Sequence, residues 1–451
     1  MLHLYDTATR EVRELALREP GTVSIYLCGP TVYGPPHLGH GRATLVYDVL
    51  RRYLEWSGLK VRLVSNITDI DDSIINRANR ENRPWRDITT KCEAVWFEAM
   101  GKINVARPTD VPRATEYVEQ MVTMIGQLVD MGKAYLTDDG VYLSVEQVEG
   151  YGLLVHQSLD DMLAGGGDRD VVGAGNKHHP ADFVLWKLSK PGEPAWPSPW
   201  GEGRPGWHSE CVVMSLDLLG EGFDLHCGGQ DLKFPHHENE RAQAVALGKQ
   251  FANHWMHHGF VVDSEGEKMS KSLGNVDNLL DLMEHYDPRA YRMLLLQSHY
   301  RGPVTVSQDN IDASVKALAR FDGIARRFKT PAAAADQGVL GAFRTAMDDD
   351  LNTPAAMAVV FDAITQANAA ADGGDMVRAH QLVAAVHSIA EAVGLTFSTE
   401  EEVPAEAAAK AAALDAARAA KDFAAADALR AELQADGWTV ETTKAGTTLR
   451  R

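Results

Sequence analysis

The chain has 451 residues, 45% of them hydrophobic, and 44 Lys and Arg against 63 Asp and Glu leave a net charge of −19. That length and apolar content support roughly three domains and exclude a disordered or fibrous chain. No run reaches the roughly 18 apolar residues that a bilayer span needs, and four scattered cysteines exclude a disulfide scaffold.

The opening Met1-Leu2-His3-Leu4-Tyr5-Asp6 lacks the basic-then-apolar pattern of a secretory leader, so a soluble cytoplasmic protein with no membrane partner is expected. The acidic balance argues against nonspecific nucleic-acid binding, which depends on clustered Lys and Arg, but leaves a local basic patch open.

Val23 to Cys28 reads as a strand that runs into a Gly/Pro-rich turn. From Leu38 to about Trp56 apolar residues recur at helical spacing, and Val61 to Ile67 reads as a second strand. Strand, helix, strand makes a βαβ unit and hence a parallel α/β sheet. Helices are predicted at about 84–103 and 113–131. The segment 145–206, with Gly165-Gly166-Gly167 and a Pro/Trp-rich run from Pro191 to Trp207, reads as an insertion between two halves of a nucleotide-binding sheet. A second α/β half follows over 207–275. Beyond it the pattern turns helical, at 278–297, 308–329, 335–350, 354–371 and 375–393. Pro404 opens an Ala-rich helix to about Ala420, a last helix covers 422–435, and Trp438–Thr442 with Thr447–Leu449 suggests a hairpin.

The chemistry begins at the first turn. His37-Leu38-Gly39-His40 places two imidazoles three residues apart at a helix start, where backbone N–H groups and the helix dipole favour an anion. Gly39, between them, lets a ligand approach the backbone closely. Two surface histidines beside a turn would be the plain alternative. A second element, Lys268-Met269-Ser270-Lys271-Ser272 between Gly266 and Gly274, is a hinged loop whose lysines suit phosphates as point charges. Together, on an α/β scaffold, the two resemble the HIGH and KMSKS signatures of class I aminoacyl-tRNA synthetases. That resemblance implies a Rossmann-type catalytic domain, with His37, His40, Lys268 and Lys271 as catalytic residues. It also implies ATP binding by Gly29, His37, Gly39, His40, Lys268, Met269, Ser270, Lys271 and Ser272.

A metal site is the next question. Cys28 ends the first strand, Cys211 lies in Gly206-Trp207-His208-Ser209-Glu210-Cys211, and His236 and Glu240 stand four apart on one helix face. Two thiolates, an imidazole and a carboxylate make a zinc set from three separated segments. Buried inert cysteines beside an ordinary His-His pair would be the alternative. Cys92 reads as core packing, and Cys227 reads as a small buried filler or a rival ligand.

Four further segments sharpen the resemblance: Tyr26 to Tyr33, Asn66 to Asp72, Asp182 to Lys187, and Pro235 to Glu240. They closely resemble the cysteinyl-tRNA synthetase family, and the likeness runs over nearly the whole chain. It implies one Zn²⁺ on Cys28, Cys211, His236 and Glu240, binding the substrate thiolate directly. It places Thr68, Trp207, His226 and Asp231 at the cysteine substrate, although a lone Asp after glycine would more often cap a turn. The implied partners are L-cysteine, ATP with Mg²⁺, and tRNA(Cys), for a monomeric chain.

The implied fold class is α/β. A Rossmann-type catalytic domain (1–275, with the insertion) precedes a helical stem (276–330), a helical bundle (331–398) and a small α+β anticodon-binding module (399–451). Residues 400–451 hold seven Lys and Arg against ten Asp and Glu, so the module must rely on local geometry and stacking. Asp422, Asp427, Arg430 and Trp438 are its candidate contacts, and Phe423 stands where some relatives carry Trp. His178-His179 likewise replaces a stretch that is often Arg/Lys-rich in the family. The nearest rival is the cysteine:amino-sugar ligase of mycothiol synthesis, which shares the adenylate chemistry. A noncatalytic tRNA-binding paralogue would usually have lost a signature histidine, a zinc ligand or a loop lysine.

Overall fold

The computed structural model describes residues 1–159, 161, 177–262, 278–328, 333–399, 404–443 and 446–450. Its centre is a four-stranded, wholly parallel sheet in the order His254–His258, Leu225–Gly229, Thr22–Leu27, Lys60–Ser65. Thr22–Leu27 is rich in β-branched and aromatic residues (Thr22, Val23, Ile25, Tyr26) and has neighbours on both sides, as an inner parallel strand requires. Its buried Ser24 is satisfied by Asp224, which accepts from both the Ser24 amide (2.7 Å) and hydroxyl (2.6 Å). The fold is therefore a mixed α/β class with a Rossmann-like sheet, followed by helices.

The helix Leu38–Trp56 carries the crossover between the first two central strands. Its Asp48 is buried and meets Arg292 at 2.8 Å and Arg52 at 2.9 Å. Arg292 in turn donates to the Ile103 and Val393 carbonyls (3.1 and 3.0 Å), so one buried cation ties three distant segments together.

Several elements differ from the sequence expectation. A helix over Asp72–Glu81 precedes the one at Trp85–Lys102; Asp71 caps it, and Asn82 ends it in the left-handed conformation. The predicted helix over 278–297 is two, Leu279–His285 and Pro288–Leu296, because Tyr286 is extended and Pro288 can only open a new helix behind its Asp287 cap. The predicted helix over 113–131 resolves into a short turn at Ala114–Glu116 and a helix over Val118–Asp130. The inserted segment is ordered around an antiparallel sheet that starts earlier than 145, with strands Ala134–Leu136, Gly140–Leu143, Phe183–Leu188 and Gly203–Pro205 in that order. Gly140 is obligatory there, because a Cβ would strike the Trp186 carbonyl. The Gly165-Gly166-Gly167 stretch lies outside the described residues.

Two compact units divide the chain, 1–315 with 332–395 and 316–331 with 396–451. In the first, the helices Gln337–Asp348, Thr353–Asp372 and Met376–Ala392 pack on one another. Asn352 caps the middle one by accepting from the Ala355 amide at 3.1 Å. In the second, the helices Ala405–Ala419 and Phe423–Ala435 and the hairpin Thr439–Thr443/Gly446–Arg450 enclose a small core of Leu414, Leu433, Trp438 and Leu449.

Candidate metal centre and nucleotide cleft

The carboxyl ends of the central strands open on a cleft of about 680 Å³, lined by Cys28, Gly29, His37, His40, Trp207 and Asp231 among others. This is where a doubly wound sheet binds ligands. Gly29 is required at its edge: a Cβ would collide with the Asn66 carbonyl, while the Gly29 amide donates to Asn66 Oδ1 at 2.8 Å.

His37 is the N-cap of the Leu38–Trp56 helix, and His40 is its third residue. Each ring accepts the other residue's amide at Nδ1 (3.2 Å in both directions), and the rings stack with centroids 3.5 Å apart. Acceptance at Nδ1 puts the proton of a neutral imidazole on Nε2 and turns that nitrogen into a donor. Burial, helped by His37, pushes the His40 pKa down to about 3, so this ring works as a neutral donor and not as a cation. Asp231 lies close enough to His40 to act on it electrostatically. The lysines and neighbours of the second signature, Lys268, Met269, Ser270, Lys271 and Ser272, lie outside the described residues.

Beneath the cleft floor, Cys28, Cys211, His236 and Glu240 present ligand atoms that all fall within 4.8 Å of one another. Cys28 follows the Thr22–Leu27 strand, Cys211 lies on the helix Trp207–Leu219, His236 on the turn before the next helix, and Glu240 on Glu238–Ala246. Tetrahedral zinc, with bonds near 2.3 Å to sulfur and 2.0–2.1 Å to nitrogen and oxygen, requires edges of about 3.8 Å between sulfurs and about 3.6 Å from sulfur to nitrogen or oxygen. The structure has Cys28 Sγ to Cys211 Sγ at 3.7 Å, Cys211 Sγ to His236 Nε2 at 3.6 Å and Cys28 Sγ to Glu240 Oε1 at 3.4 Å. The Cys28–Glu240 edge is slightly short, and the His236 Nε2 to Glu240 Oε1 edge, at 2.8 Å, is clearly tighter than the roughly 3.4 Å that zinc would set. The residues fit the metal.

Electrostatics agrees. Burial raises the Cys28 thiol, whereas at Cys211 the contacts from Cys28 and His236 outweigh burial and bring the pKa down to about 6. Glu240 is held ionised against burial by His226 and His236, and His236 is raised by Glu240. The raised His236 supplies the positive charge that the buried Glu240 needs, a place that a bound metal cation would take over.

The supporting residues are those the sequence reading missed. His208 Nδ1 stands 2.9 Å from His236 Nδ1, turning His236 Nε2 toward the cluster, and burial beside His236 pushes His208 down to about 3. Asn66 bridges Gly29 and Thr68, donating to the Thr68 hydroxyl at 3.2 Å. Glu210, driven toward its neutral form by burial and Cys211, accepts from Thr68 at 2.7 Å. Polar residues flanking a motif Cys in a helix are the only local signal for them.

Of the expected substrate residues, Trp207 faces the cleft and stacks on His236 (4.0 Å, 20°). Thr68 and His226 are buried. His226 Nε2 lies 2.8 Å from Glu240 Oε2 and 3.6 Å from Cys28 Sγ, and a second donor grouping joins Cys28, His226, His237 and Glu240. Cys227 is buried on its strand outside both groupings, and Cys92 packs with Val32, Ala78 and Ile88.

In the C-terminal unit the four candidates diverge. Trp438 is 5% exposed in the core and has no face for a base. Asp422 caps the helix Phe423–Ala435 by accepting from the Ala425 amide, and Arg430 donates to Thr442 Oγ1 at 2.7 Å. Asp427 is exposed, and Phe423, at 65%, is the unit's exposed large aromatic. In the first unit, His178 stacks on Tyr135 (3.7 Å, 9°).

Comparison with known proteins places this geometry. A family model for the tRNA synthetases class I (C) catalytic domain matches residues 14–316, and a DALR domain matches 342–398. The cysteine–tRNA ligase of Halorhodospira halophila is 43% identical over 462 residues, spanning all of both chains. That of Thioalkalivibrio sulfidiphilus is 44% identical, again over the whole of both, and that of Trichlorobacter lovleyi 45% identical over 87% of this chain and 85% of its own. In fold, the chain is similar to Mycobacterium tuberculosis methionyl-tRNA synthetase in complex with methionyl-adenylate, at 17% identity and a TM-score of 0.57, covering 82% of this chain and 89% of that one. The parallel sheet, the paired histidines at its first helix and full-length identity above 40% lead to one conclusion: the chain belongs to the cysteinyl-tRNA synthetase family of class I tRNA synthetases.

Proposed function

We propose that the chain activates L-cysteine with ATP to cysteinyl-adenylate and transfers the cysteinyl group to the terminal adenosine of tRNA(Cys). The observation that carries this reading is a donor set with zinc-like edges directly under the cleft whose rim holds His37 and His40. Cys28, Cys211, His236 and Glu240 would hold one zinc ion. When bound, it supplies a Lewis-acid site that takes a thiolate strongly and a neutral hydroxyl weakly, separating cysteine from serine, a distinction that shape makes poorly.

The chain's residues then supply position and charge. Trp207 covers the metal-side wall, and Asp231 suits the α-amino group and the adenosine. The cysteine carboxylate attacks the α-phosphorus of ATP and pyrophosphate leaves; Mg²⁺ brought in with ATP would offset charge on that leaving group. The Nε2–H groups of His37 and His40 and the helix N-terminus stabilise the charge developing on the phosphate. Lys268 and Lys271 are assigned to the pyrophosphate side on the strength of their motif. The sugar hydroxyl of the tRNA end finally attacks the adenylate carbonyl, and AMP leaves. Of the four candidates for reading the anticodon within a module at 399–451, Asp427 and Arg430 remain, and the exposed Phe423 stands beside them. The reading takes the catalytic domain as 1–275, a stem at 276–330 and a bundle at 331–398, in a monomeric cytoplasmic enzyme.

The test is charging of total tRNA with labelled cysteine, ATP and Mg²⁺ by metal-replete protein. Base-labile label on an isoacceptor with a GCA anticodon is expected. Cysteine-dependent ATP–pyrophosphate exchange without any charged tRNA would point instead to the amino-sugar ligase, and the absence of both would overturn the reading.

A further inference from the structure

One exposed face carries charge of the wrong sign for this chain. Residues 77–91 hold Arg77, Arg80, Arg83, Arg86 and Lys91 against only Glu81 and Asp87, a local excess of three positive charges in a chain of net −19. They lie on the helix Asp72–Glu81, the turn after it and the start of the helix Trp85–Lys102. Glu81 is occupied by Arg77 at 2.6 Å and is 3.7 Å from Arg83. Arg80 and Arg86 are exposed and meet no carboxylate at ion-pair distance among the described residues. The Arg86 guanidinium lies 4.4 Å over the Trp85 ring, and Trp85 makes an edge contact with Trp196 of the inserted segment (6.3 Å, 62°). The face is anchored to the cleft mouth, because Arg77 donates to the Tyr33 carbonyl and Tyr33 lines the cleft. Its other end is fixed by Asp72, which pairs with both Lys187 and Arg204.

We propose that this ridge, centred on Arg80, Arg83, Arg86 and Trp85, docks the acceptor arm of tRNA and delivers its single-stranded end to the cleft; the inference rests on the reading of tRNA as the second substrate. An acidic chain repels a polyanion over most of its surface, so binding has to concentrate where the local sign reverses. Unpaired cations beside an aromatic platform suit phosphates followed by unstacked bases. The helix Asp72–Glu81 alone is roughly 15 Å long, enough to follow several phosphates of one strand toward Tyr33.

The test is the triple variant R80A/R83A/R86A, none of whose residues touches the cleft. Cysteine-dependent ATP–pyrophosphate exchange is expected to stay within about twofold of the parent. The KM for a tRNA transcript with a GCA anticodon should rise about 10- to 100-fold at 0.15 M KCl with kcat preserved. The slope of log affinity against log salt should become shallower by about two to three. Lys60→Ala, an exposed charge at the far end of the Lys60–Ser65 strand, should change neither quantity. An unchanged KM and salt slope with exchange intact would overturn the proposal. Absence of exchange in the parent protein would count against the functional reading alone. The ridge is then judged by binding of the fluorescent transcript, where an equal affinity for parent and variant refutes it. Should the triple variant not fold, Arg86→Ala alone is expected to weaken transcript binding about three- to fivefold, and no change would refute the ridge.

Discussion

Replacing His208 by alanine probes the metal centre without touching any of its donors. His236 Nε2 faces Cys211 and Glu240, and the opposite nitrogen is held by His208 Nδ1 at 2.9 Å. Because burial beside His236 keeps His208 neutral, the contact is a hydrogen bond from His236 that fixes both ring orientation and tautomer. Loss of such an outer partner typically costs 10- to 100-fold in metal affinity, or about 1.4–2.8 kcal/mol at 25 °C. The truncation also removes an edge contact on Phe183 (5.4 Å, 83°) and opens a void, so some loss of stability, of order 1–3 kcal/mol, accompanies it. The assay is therefore zinc affinity of the folded variant by competition with a chromophoric chelator, joined to separate KM values for cysteine and ATP in pyrophosphate exchange. Zinc affinity is expected to fall within that range, and the KM for cysteine to rise about tenfold while that for ATP moves less than twofold. Unchanged zinc affinity in a folded variant, or equal rises in both KM values, would refute the reasoning.

Cys211→Ser removes a donor outright and should depress cysteine activation far more than ATP binding, measured by exchange kinetics and ATP titration; equal losses would make Cys211 a purely structural residue. Gly29→Ala drives a methyl into the Asn66 carbonyl and should destabilise the fold by at least about 2 kcal/mol in thermal unfolding; an unchanged melting temperature would contradict the close approach. Asp48→Ala leaves Arg292 buried with no counter-charge and should cost about 3–5 kcal/mol by denaturant titration, against less than 1 for an exposed pair such as Arg62–Asp110. His258 is buried, and burial and the Arg42 cation bring its pKa down from 6.5 to about 4, so the unfolded chain takes up this proton first as pH falls. Its contribution to stability is thus lost between about pH 6.5 and 4, close to 2 kcal/mol from pH 7 to pH 5. His258→Gln should flatten the acid side of the stability profile by about that amount, and an identical slope would contradict the assignment.

Elements set by local chemistry were legible in the sequence. The Thr22–Leu27 strand, the helix from Leu38 and the C-terminal helices each announce their period, cap or stop within their own residues. The break at Tyr286–Asp287 was also local, since Pro288 stood in plain view, and the apolar periodicity carried across it overrode the stronger signal. The hairpin around Asp139-Gly140 was missed for a similar reason: its strands are three and four residues long and take their stability from Phe183–Leu188, over 40 residues later. Trp438 illustrates the converse. As a residue type it suits base stacking, and only the packing of Leu414, Leu433 and Leu449 around it removes that use.

What the sequence determined by itself was the chemistry available: a pair of histidines at a helix start, a lysine loop, two thiols, an imidazole and a carboxylate, in an order that resembles one family. Those are properties of residue types and short spacings, which the chain carries whether or not it is folded. The tertiary structure decided what each group meets. Donors from segments more than 180 residues apart come within zinc-like edges only because the Thr22–Leu27 strand pairs with Leu225–Gly229 and the helices Trp207–Leu219 and Glu238–Ala246 pack on each other. His40 becomes a neutral donor only where burial and the mutual capping with His37 set its proton. Proximity and desolvation are collective properties of the fold, and no spacing along the chain encodes them.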